Sequence, residues 1–549
     1  MPKSTSPALR WARFLLPLLV VLAAACGPTP PPRPPVRELP APASALLTLA
    51  PPAYAQTTPV QLPEDQNSAA AQAKFAEIAG PNAVHEPALD LVAAVVGKTY
   101  AQENELPARA LLQWLYWKCG AISMPGPVNV VVAPPEQAAL FQEHVRRLAS
   151  VVPQLKDETV SFGVARVMVM GHLAQAIALG YRKVDMAPTP KAQAAGQSVP
   201  VRITLKKPYT NLTLYVDQGG PAVLSVPMEK QPDGAFLANA PMPAAPGRYF
   251  VEVVGMTPPA DGSDKGYRSS VLWLPFHVGV AEAEQADEFI RHPQKNHPDR
   301  SAWATQILSA YNDARQKLGR PALTVEQAAT SLVQARADLI ASREDLPPPE
   351  TQMPQKLAAA GLPARNVFGF LDDIEFVSEY ITLRLLRPAA RFALFDQNVN
   401  TIALGLSPRT VGAMKGLMFS TVEYVFEVIR VDPPKERERI LKDLDALHGA
   451  PFNRNEPLTT AAQKIADGVC KGGPMPTDAN AMFKTVVGLD ATLKNRLAAP
   501  WAGYELDKET MADIAKDAVP YNNVGIGVCQ GDVAGNPGTE VVLLLFAGP

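Results

Sequence analysis

Apolar residues recur along this chain with several different spacings, and the changes of spacing divide it. The first apolar stretch, Phe14 to Ala25, is nearly continuous and follows Lys3, Arg10 and Arg13. A charged start ahead of a run too short to span a bilayer reads as an export signal, residues 1–25. From 26 to 63 prolines and alanines replace the pattern, a composition that favours extended polyproline conformers and builds no core. It is expected to act as a stalk. Helical and strand spacings then mix between 64 and 195. Ala69 to Ile78, Ala88 to Ala101, Leu106 to Trp117 and Gln137 to Val151 read as helices, whereas Val128 to Ala133, Val160 to Val169 and Leu173 to Val184 read as strands. This segment is an N-terminal α/β unit.

Between 196 and 280 short alternating runs take over: Val199 to Leu205, Leu212 to Val216, Ala222 to Pro227, Tyr249 to Val254 and Val271 to Val278. Turn signals at Gly219-Gly220, Asp233-Gly234 and Pro246-Gly247 separate them, which predicts a β-sandwich of about immunoglobulin size. A polar linker follows over 281–301, and helical spacing returns at Ile307.

There the sequence runs Asn312-x-x-Arg315-x-x-x-Gly319-x-Pro321-x-Leu323. That spacing places Asn312 and Arg315 one helical turn apart, puts Gly319 at a helix end, and uses Pro321 to stop continuation. It resembles the first helix of the CAP superfamily, the family of cysteine-rich secretory, antigen 5 and pathogenesis-related proteins. The order that follows is similar to that family too: an alanine-rich helix at Val325 to Ser342, a Gly-containing loop around Gly361, a helix at Ile374 to Leu386, a glycine strand at Val399 to Leu406, and a last strand at Ser420 to Val431. The resemblance implies an α-β-α sandwich over 302–431. A second unit over 432–549 repeats the order, with helices at Arg439 to Leu447 and Leu458 to Val469, a glycine strand at Val524 to Val528, and a closing strand at Glu540 to Phe546. The expected fold class is therefore multidomain α+β: two CAP-like units in tandem, preceded by the sandwich and the α/β unit. The sequence leaves open whether 64–195 is a further relative.

Composition narrows the chemistry. With 549 residues, 47% of them apolar, several domains can each bury a core. A net charge of -2 supplies no basic field for nucleic acid. The signal ends in Leu22-Ala23-Ala24-Ala25-Cys26-Gly27, which resembles the lipobox of bacterial lipoproteins, although Ala23 stands where an aliphatic residue is commoner. That resemblance implies acylation of Cys26 and membrane anchoring through the lipid. Gly27, rather than Asp, after the cysteine favours the outer membrane or cell surface. Of the other cysteines, Cys119 lies in an apolar run, and Cys470 and Cys529 either pair in an oxidising compartment or remain buried thiols.

Family members that bind divalent metal use two histidines and two acids. Here the loop Arg343 to Pro347 has no histidine, the family's Glu-Asn becomes Arg365-Asn366, and its second histidine motif reads Arg387-Pro388-Ala389-Ala390-Arg391. No histidine falls between His297 and His448, so no metal or cofactor is expected. The acids Glu344, Asp345, Asp372, Asp373 and Glu375 read as solvated, and Trp114, Tyr116 and Trp117 as core. The expectation is a non-enzymatic binding or structural module with a protein, glycan or lipid ligand. The competing reading is a cell-envelope hydrolase or peptidase built on acids and His172 or His448.

Overall fold

The computed structural model describes residues 38–549 apart from 64, 155–157, 258–265, 285–287, 292, 294, 298, 345, 413–414, 417, 504–505 and 534–535. The export signal and Cys26 lie outside the described residues.

The Pro- and Ala-rich tract does not stand away from the body over its described length. It forms α1 (Ala41–Ser44), a 3-10 turn (Ala45–Leu49) and β1 (Ala53–Tyr54), and buries Leu39, Leu46, Leu47 and Tyr54. The stalk reading is corrected for residues 38–63, while 26–37 lie outside the described residues: prolines suit a helix start, and four large apolar side chains in this tract gain more from burial than from extension.

The N-terminal unit continues as α2 (Ser68–Ala79), β2 (Ala83–His85), α3 (Pro87–Glu103), α4 (Arg109–Lys118), β3 (Met124–Ala133), α5 (Ala138–Ala149), β4 (Val160–Val169) and β5 (His172–Tyr181). Its sheet runs β2-β4-β5-β3, with β2 parallel to β4 and the other pairs antiparallel.

The β segment follows with β6 (Val184–Met186), β7 (Thr189–Pro190), β8 (Ala192–Gln193), β9 (Ser198–Leu205), β10 (Thr210–Asp217), β11 (Val223–Pro227), β12 (Glu229–Lys230), β13 (Phe236–Pro241), β14 (Gly247–Met256) and β15 (Arg268–Val278). Two sheets, β11-β10-β14-β15-β8 and β12-β13-β9-β6, share one apolar core. Trp117 of α4 enters that core edge-on to Trp273, with ring centroids 4.6 Å apart, and its Nε1 donates to the Trp273 carbonyl at 2.8 Å. The sandwich and the N-terminal unit are thus fused through aromatic packing.

Next come α6 (Arg300–Lys317), β16 (Thr324–Val325), α7 (Gln327–Ala341), α8 (Met353–Ala359), β17 (Ala364–Ile374), α9 (Val377–Leu386), α10 (Pro388–Leu394), β18 (Thr401–Pro408) and β19 (Phe419–Val428). The last unit holds α11 (Pro433–His448), β20 (Asn453–Arg454), α12 (Glu456–Cys470), α13 (Ala479–Phe483), β21 (Asn495–Gly503), α14 (Lys508–Asp517), β22 (Asn523–Val533) and β23 (Asn536–Gly548). Helix starts follow local chemistry: Asp432, Asn455 and Asp507 each accept a backbone N–H of the helix they cap.

Sheets β16-β18-β19-β17 and β20-β22-β23-β21 repeat the order and the parallel and antiparallel pairing of the N-terminal sheet. In all three units the second helix packs on one face of the sheet, and the first and fourth helices meet on the other. The chain therefore holds three α-β-α sandwiches of one topology. The α/β reading of 64–195 is sharpened accordingly, and the strand β17 replaces the start of the helix expected at Ile374.

Small residues explain how close the second helix comes. Aligned on their parallel pairs, the central strands carry Gly163 and Ala165, Ala403 and Gly405, and Gly525 and Gly527 at matching places. A Cβ on Gly163 would lie 2.2 Å from the Leu89 carbonyl carbon, one on Gly405 2.5 Å from the Val333 oxygen, and one on Gly527 2.3 Å from the Ala462 carbonyl carbon. Backbone meets backbone at these points, and only the absence of a side chain permits it.

Candidate functional site

The residues singled out around 312–323 turn out to build a staple. Asn312 brackets Leu323, donating from Nδ2 to its carbonyl at 3.1 Å and accepting its N–H at Oδ1 at 2.7 Å. Arg315, buried in full, donates to the carbonyls of Pro321 (2.6 Å), Leu394, Asp396 (3.3 Å) and Val399 (2.8 Å). Gly319 sits at φ +66°, the left-handed turn that lets the chain reverse. The last unit keeps this arrangement in weaker form: Asp445 accepts the Phe452 N–H at 2.8 Å, and His448, three residues on, reaches the Val519 carbonyl at 3.4 Å. His448 stands where Arg315 stands, as a structural anchor.

Between α6, α9 and the sheet of the middle unit lies a buried polar network centred on Glu423. Tyr311 and Tyr380 donate to its Oε2 at 2.9 and 2.6 Å. Arg384 donates to the Tyr380 hydroxyl at 3.1 Å and to Asp372 at 2.8 Å, and Ser420 donates to Asp373 at 2.8 Å. The strand register puts Glu423 opposite Leu404, where the other units pair Ile177 with Val164 and Leu544 with Ile526. Only the middle unit is polar at this position. Burial, reinforced for Tyr311 by the Glu423 charge, pushes both phenols well above their ordinary range, so they stay protonated donors. Tyr311 and Glu423 are sealed from solvent, so the centre of the network holds helices to the sheet, while Asp372 at its rim is 30% exposed. Asp372 and Asp373, expected as solvated, are instead members of it.

The stretch Arg387 to Arg391 faces outward, to the sandwich. Arg387 donates from Nε and Nη2 to Glu252 Oε1 at 3.0 and 2.7 Å, the Ala389 N–H donates to Oε2 at 3.0 Å, and Arg391 pairs with Asp217. Nearby, the Ala110 N–H at the start of α4 donates to Glu379 at 2.9 Å. Burial first, and the Glu375 charge second, push the Glu379 carboxyl up to about 7. These contacts join the middle unit to both of its N-terminal neighbours. Arg365 pairs with Glu427 at 2.6 Å on the sheet edge.

Other sequence candidates fall apart in space. His172 is the exposed first residue of β5, 3.4 Å from the Met170 carbonyl. Cys470 and Cys529 are joined by a disulfide bond, and Cys119 is a buried thiol raised to about 12 by burial. Among the described residues no group of three His, Cys, Asp or Glu side chains could hold a metal ion, and no helix is long and apolar enough to cross a membrane. Sequence reading missed Glu423, Tyr311, Tyr380 and Arg384, because a lone Glu in a β run and tyrosines in helices carry no local motif.

No family model matches the chain, and no curated protein matches it. Among solved structures, a cysteine-rich secretory protein from Staphylococcus aureus is similar over 48% of this chain and 83% of that chain, with 8% identity and a TM-score of 0.20. A likeness of that size decides nothing about this chain.

Proposed function

We propose that this chain is a surface-tethered, non-enzymatic lipoprotein whose repeated α-β-α units, degenerate relatives of the CAP fold, serve as a binding or structural scaffold. The observation that carries the reading is the Arg387–Glu252 joint: the segment where the resemblance would seat a metal-binding histidine is committed to fastening one domain to another. The polar network around Glu423 supports it, since Tyr311 and Tyr380 spend their hydroxyls on the Glu423 carboxylate in the interior rather than at a surface. Repetition of one topology along the chain suits an extended arm that presents surface, and a Cys26 lipid would hold that arm at the envelope, with a protein, glycan or lipid as its ligand.

Two measurements test this. Intact mass of membrane-fraction protein, compared with a Cys26→Ser variant, is expected to show an acylated chain beginning at Cys26 that the variant lacks; a soluble, unacylated protein cleaved elsewhere would remove the tether. Thermal unfolding with EDTA, zinc or calcium is expected to be unchanged. A saturable, metal-dependent rise in Tm that disappears in Glu379→Gln would restore the metal-dependent reading.

A further inference from the structure

A cavity of about 290 Å³ opens where α4 meets β14, β15 and the strap 279–284. Trp114, Trp117 and Pro275 form its apolar wall, while Lys118, Arg248 and His277 bring polar groups to the same space and Glu282 enters from the strap. A larger recess along α6, about 680 Å³, is an open strip on one side of one helix with Asp313 as its one ionised group, and it converges on nothing.

The charges at the α4 cavity are unevenly matched. Lys191, only 3% exposed at its side chain, and Lys118, 10% exposed, both look to Glu282, at 3.4 and 3.5 Å, and His277 lies 3.9 Å from the same carboxylate. Charge-assisted hydrogen bonds run about 2.7–2.9 Å. One carboxylate is therefore stretched among three nitrogens and satisfies none closely. The short bonds of the two ammonium groups go to neutral carbonyls, Ala283 for Lys118 and Lys118 for Lys191. Arg248 pairs with Glu288 and lies over the Phe250 and Phe289 rings. Glu282 is thus a partial counter-ion on the strap, in a site whose cations have capacity for another anion and whose wall is aromatic.

We propose that this cavity binds a small organic carboxylate with a flat apolar body, its carboxylate bonding Lys118, with the Lys191 ammonium buried outside the lining, and its body lying against Trp114 and Trp117. The tether and the CAP resemblance play no part in this inference, which stands on the cavity and its lining alone. Glu282 competes with the ligand for the Lys118 ammonium, so the strap regulates access.

Benzoate is the probe, followed by calorimetry and by quenching of tryptophan fluorescence on the full chain. Saturable binding of benzoate, with benzamide inert, is expected. Glu282→Gln is expected to tighten benzoate binding by about tenfold, because a like charge is removed from the site. Lys118→Met is expected to weaken it by about tenfold or more, with Lys118→Arg restoring most of the loss. Equal binding of benzoate and benzamide, or no saturable signal in either the native chain or Glu282→Gln, would overturn the proposal. Should Lys118→Met fail to fold, the Glu282→Gln comparison decides, because that side chain lies on a partly exposed strap.

Discussion

Arg387 and Glu252 meet across the junction of the middle α-β-α unit and the sandwich, with the carboxylate fully buried and the guanidinium 23% exposed. A buried charge that loses its partner has neither water nor counter-ion, and breaking such a pair costs about 3–5 kcal/mol. Arg387→Ala is therefore expected to lower the unfolding transition strongly. Adding Glu252→Gln to that variant should recover part of the loss, because the stranded charge is gone. Equal effects of the single and double variants, read by urea unfolding, would show that the pair is not coupled.

The central-strand glycines give a second prediction. Gly405→Ala and Gly527→Ala each drive a methyl group into the backbone of the facing helix, so helix and sheet must separate, at about 1–3 kcal/mol or more. Gly468, inside α12, has nothing within 4 Å of its added Cβ. Gly468→Ala is expected to be neutral or stabilising by up to about 1 kcal/mol. Thermal melts of the three variants compare them directly.

Acid should loosen the N-terminal unit. His144 accepts a hydrogen bond from Gln175 at Nδ1 (3.0 Å) and faces Asn129 Oδ1 at 2.9 Å, and burial lowers it from 6.5 to about 3. His277 is lowered to about 4, by burial first and then by Arg248, Lys191 and Lys118. A depressed histidine pKa means that the unfolded chain binds more protons in this range. The contribution of these two histidines is thus intact above pH 6.5 and is lost as pH falls toward 4, while Glu379, raised to about 7, slopes the other way. His144→Gln is expected to flatten part of that slope in a series of melts from pH 7 to 4, and an unchanged slope would exclude His144 as a source.

The Cys470–Cys529 disulfide closes a loop with a sequence separation of 59 residues. Cross-links of this kind contribute about 2–4 kcal/mol, chiefly by restricting the unfolded chain. Cys529→Ser, or reduction before a melt, is expected to lower the transition of the last unit. Alkylation followed by mass analysis of chain made in an oxidising compartment should find one free thiol, that of Cys119 after unfolding; three free thiols among these positions would contradict the bond.

Much of the element order could be read directly, because it is carried by local pattern. The helices at 68–79 and 87–103 and the strands at 160–169 and 172–181 follow from the spacing of apolar residues, whereas the helices read from Arg439 and Leu458 begin earlier, at caps supplied by Asp432 and Asn455. Strands with weak alternation escaped. Phe236–Pro241 and Ala364–Ile374 lie where neighbours across the sheet, rather than their own residues, supply the reason to be extended.

The site was less legible than the fold. Asn312, Arg315, Gly319 and Pro321 stood out because their bonds close within a dozen residues or take backbone carbonyls, so their spacing is itself the signal. Glu423 with Tyr311, Arg387 with Glu252, and Glu282 with Lys191 join residues 112, 135 and 91 positions apart, and nothing in the intervening chain records the meeting.

By itself, then, the sequence determined most of the longer helices, most strands, the recurrence of a glycine strand after an alanine-rich helix, and the lack of a histidine set in the middle unit; the helices at 353–359, 388–394, 479–483 and 508–517 were not read. Tertiary structure alone decided that the N-terminal unit shares the topology of the other two, that the proline tract packs against the body, and that the Arg387 segment is a joint. The physical reason is range: backbone preference and capping act over a few residues, whereas sheet order, ion pairing and cavity shape depend on which distant side chains are brought together as the core closes.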